Sequence, residues 1–168
     1  MEIRLATSAD ALPVARVHVR AWQQGYRGLI AQDYLDGLSP EDRAGRYTFD
    51  RMTSDGPFTL VAVDGDAICG LVTTGRSREP DLPDAGEIWA MYVDPPRWGT
   101  GVGRLMMAAA RAQLRADGHR TAALWVITAN SRARRFYEAD SWRADGVERT
   151  DVVGGTTIHE VRYQRTLE

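Results

Sequence analysis

The stretch from residue 86 to residue 117, GEIWAMYVDPPRWGTGVGRLMMAAARAQLRAD, constrains the fold more than any other part of the chain. A strand-like run (87–94) enters a loop with two prolines. Three glycines at alternate positions, Gly99, Gly101 and Gly103, then lead into a helix-like run (101–117). Glycine lets the backbone approach a ligand closely and adopt positive φ. The first helical turn offers free N–H groups and the positive end of the helix dipole. Together these cradle a phosphate or pyrophosphate. Arg97 and Arg104 flank the loop and can add charge-assisted contacts. A tight turn without a ligand is the plainer alternative.

The glycine spacing separates this loop from two common ones. A dinucleotide fingerprint is GxGxxG and is followed by a strand ending in an acid. Here the spacing is GxGxG, and the next strand-like run, TAALWVIT, carries no acid at its end. A Walker-type loop needs Gly-Lys, and this chain has no lysine; all 21 of its basic residues are arginine. Lysine's absence also excludes Schiff-base chemistry on a lysine amine.

Hydrophobic periodicity orders the remaining elements. EIRLA (2–6) predicts a first strand. The run 7–26 predicts a helix, with Thr7 and Asp10 at capping-box spacing and Leu12, Ala15, Val19 and Trp22 along one face. Residues 39–52 predict a second helix with Ser39 as cap and Pro40 at its first position. Residues 58–75 predict a hairpin around Asp-Gly. A polar loop (76–86), the unit already described, a strand (121–127), a helix (130–140) and a closing hairpin turned by Gly154-Gly155 complete the chain. The expected fold is α+β, a single domain over 1–168. It has a mostly antiparallel mixed sheet of about seven strands, a parallel βαβ unit in its middle and about four helices.

The net charge of −2 gives no bulk pull toward nucleic acid or an anionic membrane, so neither is an expected partner. No apolar run approaches the roughly 20 residues of a membrane span. The N-terminal MEIRLATSAD lacks signal-peptide build, and a cytoplasmic location is expected. The single cysteine, Cys69, sits in an apolar run and is expected in the core. The three histidines, His18, His119 and His159, show no metal-ligand spacing, so no metal is expected.

YVDPPRWGTGVGRLM, followed some thirty residues on by NSRARRFYEADSW, resembles the GCN5-related N-acetyltransferase (GNAT) family. Residues 86–142 carry the resemblance in detail, and the element order carries it over nearly the whole chain. The family pattern Q/R-x-x-G-x-G/A falls on Trp98, Gly99, Thr100, Gly101, Val102 and Gly103. Trp98 stands where the family usually has Gln or Arg, and its side chain is expected either over the cofactor or against the protein. The resemblance implies that acetyl-coenzyme A is the co-substrate and that this loop, with Arg104, holds its pyrophosphate. It implies that Met91, Tyr92 and Val93 pair with the pantetheine where two strands splay at a bulge. It also implies cofactor contacts from Asn130 and Arg134.

The implied reaction is direct transfer of the acetyl group to a primary amine of a small molecule or peptide. The resemblance gives Tyr137, seven residues after the helix cap Asn130, as general acid toward the sulfur. It gives Glu87 as the acid that orders a proton-accepting water. Trp22, Tyr26 and Arg27, between the first two helices, are candidate acceptor contacts; helix-face packing is the alternative for Trp22 and Tyr26. Glu79, Asp81 and Asp84 in the loop 76–86 either attract a cationic amine or are simply solvated. A non-catalytic acyl-coenzyme A sensor and a transferase of longer acyl groups share the same loop. Relatives are often dimers, so a homodimer is also expected.

Overall fold

The computed structural model describes residues 1–49, 53 and 56–168. Seven strands form one sheet in the order β1-β2-β3-β4-β5-β7-β6. They are β1 (Glu2–Leu5), β2 (Phe58–Asp64), β3 (Ala67–Arg76), β4 (Gly86–Val93), β5 (Thr121–Ile127), β6 (Arg143–Val153) and β7 (Thr156–Thr166). The pair β4–β5 is parallel; the other pairs are antiparallel. Among the described residues the α-helices are α1 (Ala11–Gly25), α2 (Gln32–Asp36), α3 (Pro40–Ala44), α4 (Val102–Ala116) and α5 (Ser131–Ala139).

Both faces of the central strands are covered. Along β2, Leu60 and Ala62 belong to the cluster under α4, while Val61 belongs to the cluster under α1. This is the period-two alternation of a strand buried on both sides. α4 contributes Val102, Met106, Met107, Ala110 and Leu114, all at 1% exposure or less. Burying each of the larger of these side chains is worth about 1.5–3 kcal/mol. Ala133, Phe136 and Tyr137 of α5 pack beside the same cluster. α1 lies on the opposite face with Val14 and Val17. Cys69 is buried, as its apolar surroundings predict.

Several local signals act as expected. The Thr7 N–H donates to the Asp10 carboxylate at 2.8 Å, fixing the entry to α1. Ser39 caps α3 by accepting from the Asp42 N–H at 3.2 Å. Of the helix predicted over 39–52, the described residues form an α-helix from Pro40 to Ala44, and residues 50–52 lie outside the described set. Gly45 caps it, and the chain then turns so that Tyr47 stacks on Phe49 and meets His18 Nδ1 at 2.8 Å. α2 is an additional short helix that the sequence pattern does not announce.

One irregularity in the sheet shapes everything that follows. On the β3 side of β4, Thr73 pairs with Ala90 but Thr74 pairs with Ile88. Trp89 is therefore the extra residue of a β-bulge, which bends the strand. On the other side, β4 pairs with β5 only at Gly86–Ala122, Glu87–Ala123 and Ile88–Leu124. Beyond Ile88 the two parallel strands diverge.

Candidate active site

The divergence opens a cleft of about 790 Å³ that runs from the start of α4 to the inner faces of β6 and β7. One end of it is built by the glycine loop. Trp98 (φ −64°, ψ 140°) and Gly99 (φ 76°) are the central residues of a turn that the Thr100 N–H closes on the Arg97 carbonyl at 3.3 Å. Positive φ at the second central position is the type II arrangement that glycine favours. Gly101 then caps α4 at φ 94°, a left-handed conformation that costs other residues about 1–2 kcal/mol. The N–H groups of Gly101, Val102, Gly103 and Arg104 have no backbone partner among the described residues. Four free amides at the positive end of a fifteen-residue helix, with exposed Arg104 beside them, fit a pyrophosphate.

Trp98 is held by the protein while still lining the cleft. Its indole N–H donates to the Val93 carbonyl at 2.8 Å. The Arg132 guanidinium lies 3.4 Å from the ring centroid. The side chain is thus held against the protein, and the Val93 carbonyl already has one donor. Met91 and Tyr92 line the same wall, just past the bulge.

Tyr137 reaches the opening from the α5 side of the sheet. Asn130 caps α5 by accepting from the Ala133 N–H at 3.2 Å, so both expected residues border the cleft. The Tyr137 ring packs against Phe136, Trp142 and Tyr163 at centroid distances of 5.4, 6.5 and 6.5 Å. Its hydroxyl has no hydrogen-bond partner among the described residues. Burial raises its pKa above the ordinary phenol value, with the neighbouring Tyr92 adding to the shift. The group therefore stays protonated and can donate.

Glu87 also borders the cleft but is 1% exposed. Its carboxylate accepts the Arg78 backbone N–H at 2.8 Å and Arg78 Nε at 3.1 Å, with Nη2 adding a third bond. Arg78 in turn stacks on Trp89, its guanidinium carbon 4.4 Å from the ring centroid.

Trp22 and Tyr26 form the α1 wall, their rings 5.0 Å apart and nearly perpendicular. Four expected residues lie outside the lining. Arg27 is exposed, and its backbone bridges to Ile30. Thr100 turns its hydroxyl onto the Arg97 carbonyl at 2.7 Å. The Val102 side chain is buried in the core at 1% exposure. Arg134 binds the Tyr163 hydroxyl at 2.9 Å and the Thr128 carbonyl at 3.1 Å.

Two acidic side chains of the loop, Glu79 and Asp81, are held in place, while Asp84 is exposed. Buried Arg162, at 3% exposure, grips Asp81 through two bonds of 2.8 and 2.7 Å and Asp145 at 2.6 Å. Glu79 accepts the Trp125 indole N–H at 3.0 Å. The Asp84 carbonyl accepts from His119. Residues that sequence patterns did not single out complete the far end: Arg149 and Asp151 on β6, and Ile158 and Glu160 on β7. Their contribution depends on the register of the closing hairpin, and no short motif signals it. Among the described residues, no group of three or more His, Cys, Asp or Glu is placed to hold a metal. Among the described residues, no helix is long and apolar enough to cross a membrane.

A mixed sheet opened at a bulge, with free helix-start amides at one end of the opening, fits a long ligand with an anionic end. The acetyltransferase (GNAT) family profile matches residues 19–140, and the chain belongs to that family. A probable N-acetyltransferase of Mycobacterium tuberculosis is 29% identical over 170 residues, covering 98% of this chain and 92% of the relative. An uncharacterized N-acetyltransferase of Archaeoglobus fulgidus is 32% identical over 146 residues, covering 85% of this chain and 93% of the relative. Among solved structures, the PaiA N-acetyltransferase of Thermoplasma acidophilum in complex with coenzyme A has the same fold. Its TM-score is 0.77 at 18% identity, with 98% of each chain covered.

Proposed function

We propose that this protein transfers the acetyl group of acetyl-coenzyme A to a primary amine by direct attack within a ternary complex. The observation that carries the reading is the pairing of two features across the β4–β5 opening. Free amides from Gly101 to Arg104 lie at its α4 end, and the unpartnered, protonated hydroxyl of Tyr137 lies at the opening itself. The amides hold the pyrophosphate, and the strand edge past the Trp89 bulge takes the pantetheine. As the C–S bond breaks, Tyr137 gives its proton to the departing sulfur.

Direct transfer is supported by the placement of the thiol. Cys69, the single cysteine, is 2% exposed and outside the cleft lining. Glu87 is ion-paired in place, where it fixes Arg78 and the loop beyond it.

The test is thiol release from acetyl-coenzyme A with a panel of polyamines, alkylamines, amino acids and peptides. Release that depends on an amine supports the reading. Binding of acetyl-coenzyme A without release across the panel would favour a non-catalytic sensor. Propionyl and succinyl donors in parallel define the acyl preference.

A further inference from the structure

We infer that Glu160 takes the proton from the attacking amine, and that the acceptor is a primary ammonium carried on an apolar or aromatic chain. This rests on the transferase reading above and assigns its acceptor half. The strand register places the residue. Ile127 of β5 lies opposite Glu160 of β7, and Trp125 lies opposite Arg162. Leu124 and Val126 belong to the core under α4. By alternation, Trp125, Ile127, Glu160 and Arg162 project to the other face, which α1 covers. Tyr137 approaches the opening from the α4–α5 face. Acid and base thus stand on opposite sides of the gap between β4 and β5. An amine attacking from one side and a sulfur leaving toward the other need that arrangement.

Three carboxylates line the cleft, and two of them, Glu87 and Glu160, differ in what occupies them. Glu87 receives three hydrogen bonds from Arg78. Glu160 has 13% of its side chain exposed and lines the cleft. Its Oε2 accepts from Arg149 Nε at 2.7 Å, and its Oε1 has no partner among the described residues. Glu160 and the proposed acid, Tyr137, line the same cleft.

The other groups around it favour a cation. Arg149 is shared between Glu160 and, at 3.9 Å, Glu79. Arg162 is held by Asp81 and Asp145, and Arg78 by Glu87. Asp151 adds a third carboxylate to the lining. Each nearby guanidinium is thus already ion-paired. Ile30, Val153 and Ile158 give this end apolar walls, and Tyr26 and Trp22 give it aromatic ones. An alkylammonium or arylalkylammonium meets carboxylate, ring faces and apolar walls together.

The proton balance closes. The ammonium gives one proton to Glu160, and the neutral nitrogen attacks the thioester carbonyl. A C–N bond forms, and the C–S bond breaks with its electron pair on sulfur. Sulfur takes the Tyr137 proton, and the nitrogen's surplus proton returns to Tyr137 through water. Glu160 releases its proton to solvent. The products are an amide, a thiol and one proton.

The test measures kcat/KM for n-hexylamine and 2-phenylethylamine with wild type, Glu160→Gln, Glu160→Asp and Glu87→Gln. The range runs from about pH 6 to about pH 10, the ordinary amine pKa. Calorimetry of coenzyme A serves as the fold control. Wild type, which binds the ammonium, is expected to vary little with pH. Glu160→Gln must draw on free amine, so its deficit is about 10²–10⁴-fold near neutrality and shrinks about tenfold per pH unit. Coenzyme A affinity stays unchanged, and Glu160→Asp recovers part of the rate. A wild-type rate and pH profile in Glu160→Gln would overturn the role of Glu160 and leave the transferase reading standing. So would the steep profile appearing in Glu87→Gln instead. Thiol release only with carboxylate-bearing amines would overturn the acceptor class. No thiol release by wild type with any amine would overturn the transferase reading, and Glu160 with it.

Discussion

Tyr137→Phe separates chemistry from folding because of what its oxygen does not do. The hydroxyl holds no partner among the described residues, so its removal breaks no hydrogen bond in the fold. The ring contacts with Phe136, Trp142 and Tyr163 survive in phenylalanine. Stability should therefore stay within about 0.5 kcal/mol. The loss falls on the step that needs a proton at sulfur. Removing a positioned general acid costs about 10²–10⁴ in rate, or about 3–5 kcal/mol of barrier. Burial raises the tyrosine pKa, so the acid form persists beyond the usual phenol range. The wild-type rate should not fall through ionisation of this group near neutrality. The assay is thiol release at saturating acetyl-coenzyme A, with cofactor affinity from calorimetry and a melting curve on the same sample. A kcat within about twofold of wild type, with affinity unchanged, would remove Tyr137 from the mechanism. A loss confined to affinity and melting temperature would make it a packing residue.

Two further outcomes follow from the loop and from α1. Gly101→Val forces a branched side chain to φ 94°, and Gly103→Val puts a Cβ 3.2 Å from the Phe136 ring; each should weaken coenzyme A binding by about tenfold or more, read by calorimetry. Unchanged affinity in both would disconnect the loop from the cofactor. His18 is 7% exposed against Tyr92 and Trp22, and burial, with a smaller push from Arg43, lowers its pKa from 6.5 to about 3. The unfolded chain then binds a proton below about pH 6.5 that the folded chain refuses until about pH 3. Stability should be flat above that window and fall as pH drops, by about 3 kcal/mol between pH 6.5 and pH 4. Urea midpoints against pH, with His18→Leu as comparison, check this; equal slopes in the two proteins would refute it.

The parts of this site legible in the sequence are those built within one short segment. Gly99, Gly101 and Gly103 announce a backbone that must turn left-handed and open its amides. Asn130 announces a helix start, and the spacing to Tyr137 sets a helix face. The splay at a bulge was expected from family resemblance, and Trp89 supplies it. The rest depends on pairings between distant segments. Arg78 meets Glu87 only because the loop 77–85 folds back on β4. Glu160 enters the cleft only because β7 pairs with β5 in one register, and a slip of one residue would point it away. Trp98 departs from the family pattern, and its role emerges only when the Val93 carbonyl and Arg132 are found around it. Arg134 lies one helical turn beyond the cap and appears well placed by spacing alone. Its guanidinium is drawn instead to Tyr163 and the Thr128 carbonyl.

The most direct measurement follows the acetyl carbon itself. The protein is incubated with acetyl-coenzyme A labelled with carbon-13 in the acetyl group and with the amine panel, and products are identified by mass spectrometry and NMR. The account predicts the label in an N-acetyl amide, formed in step with free thiol and only when an amine is present. Label found in free acetate, or left in the thioester with every amine, would contradict it.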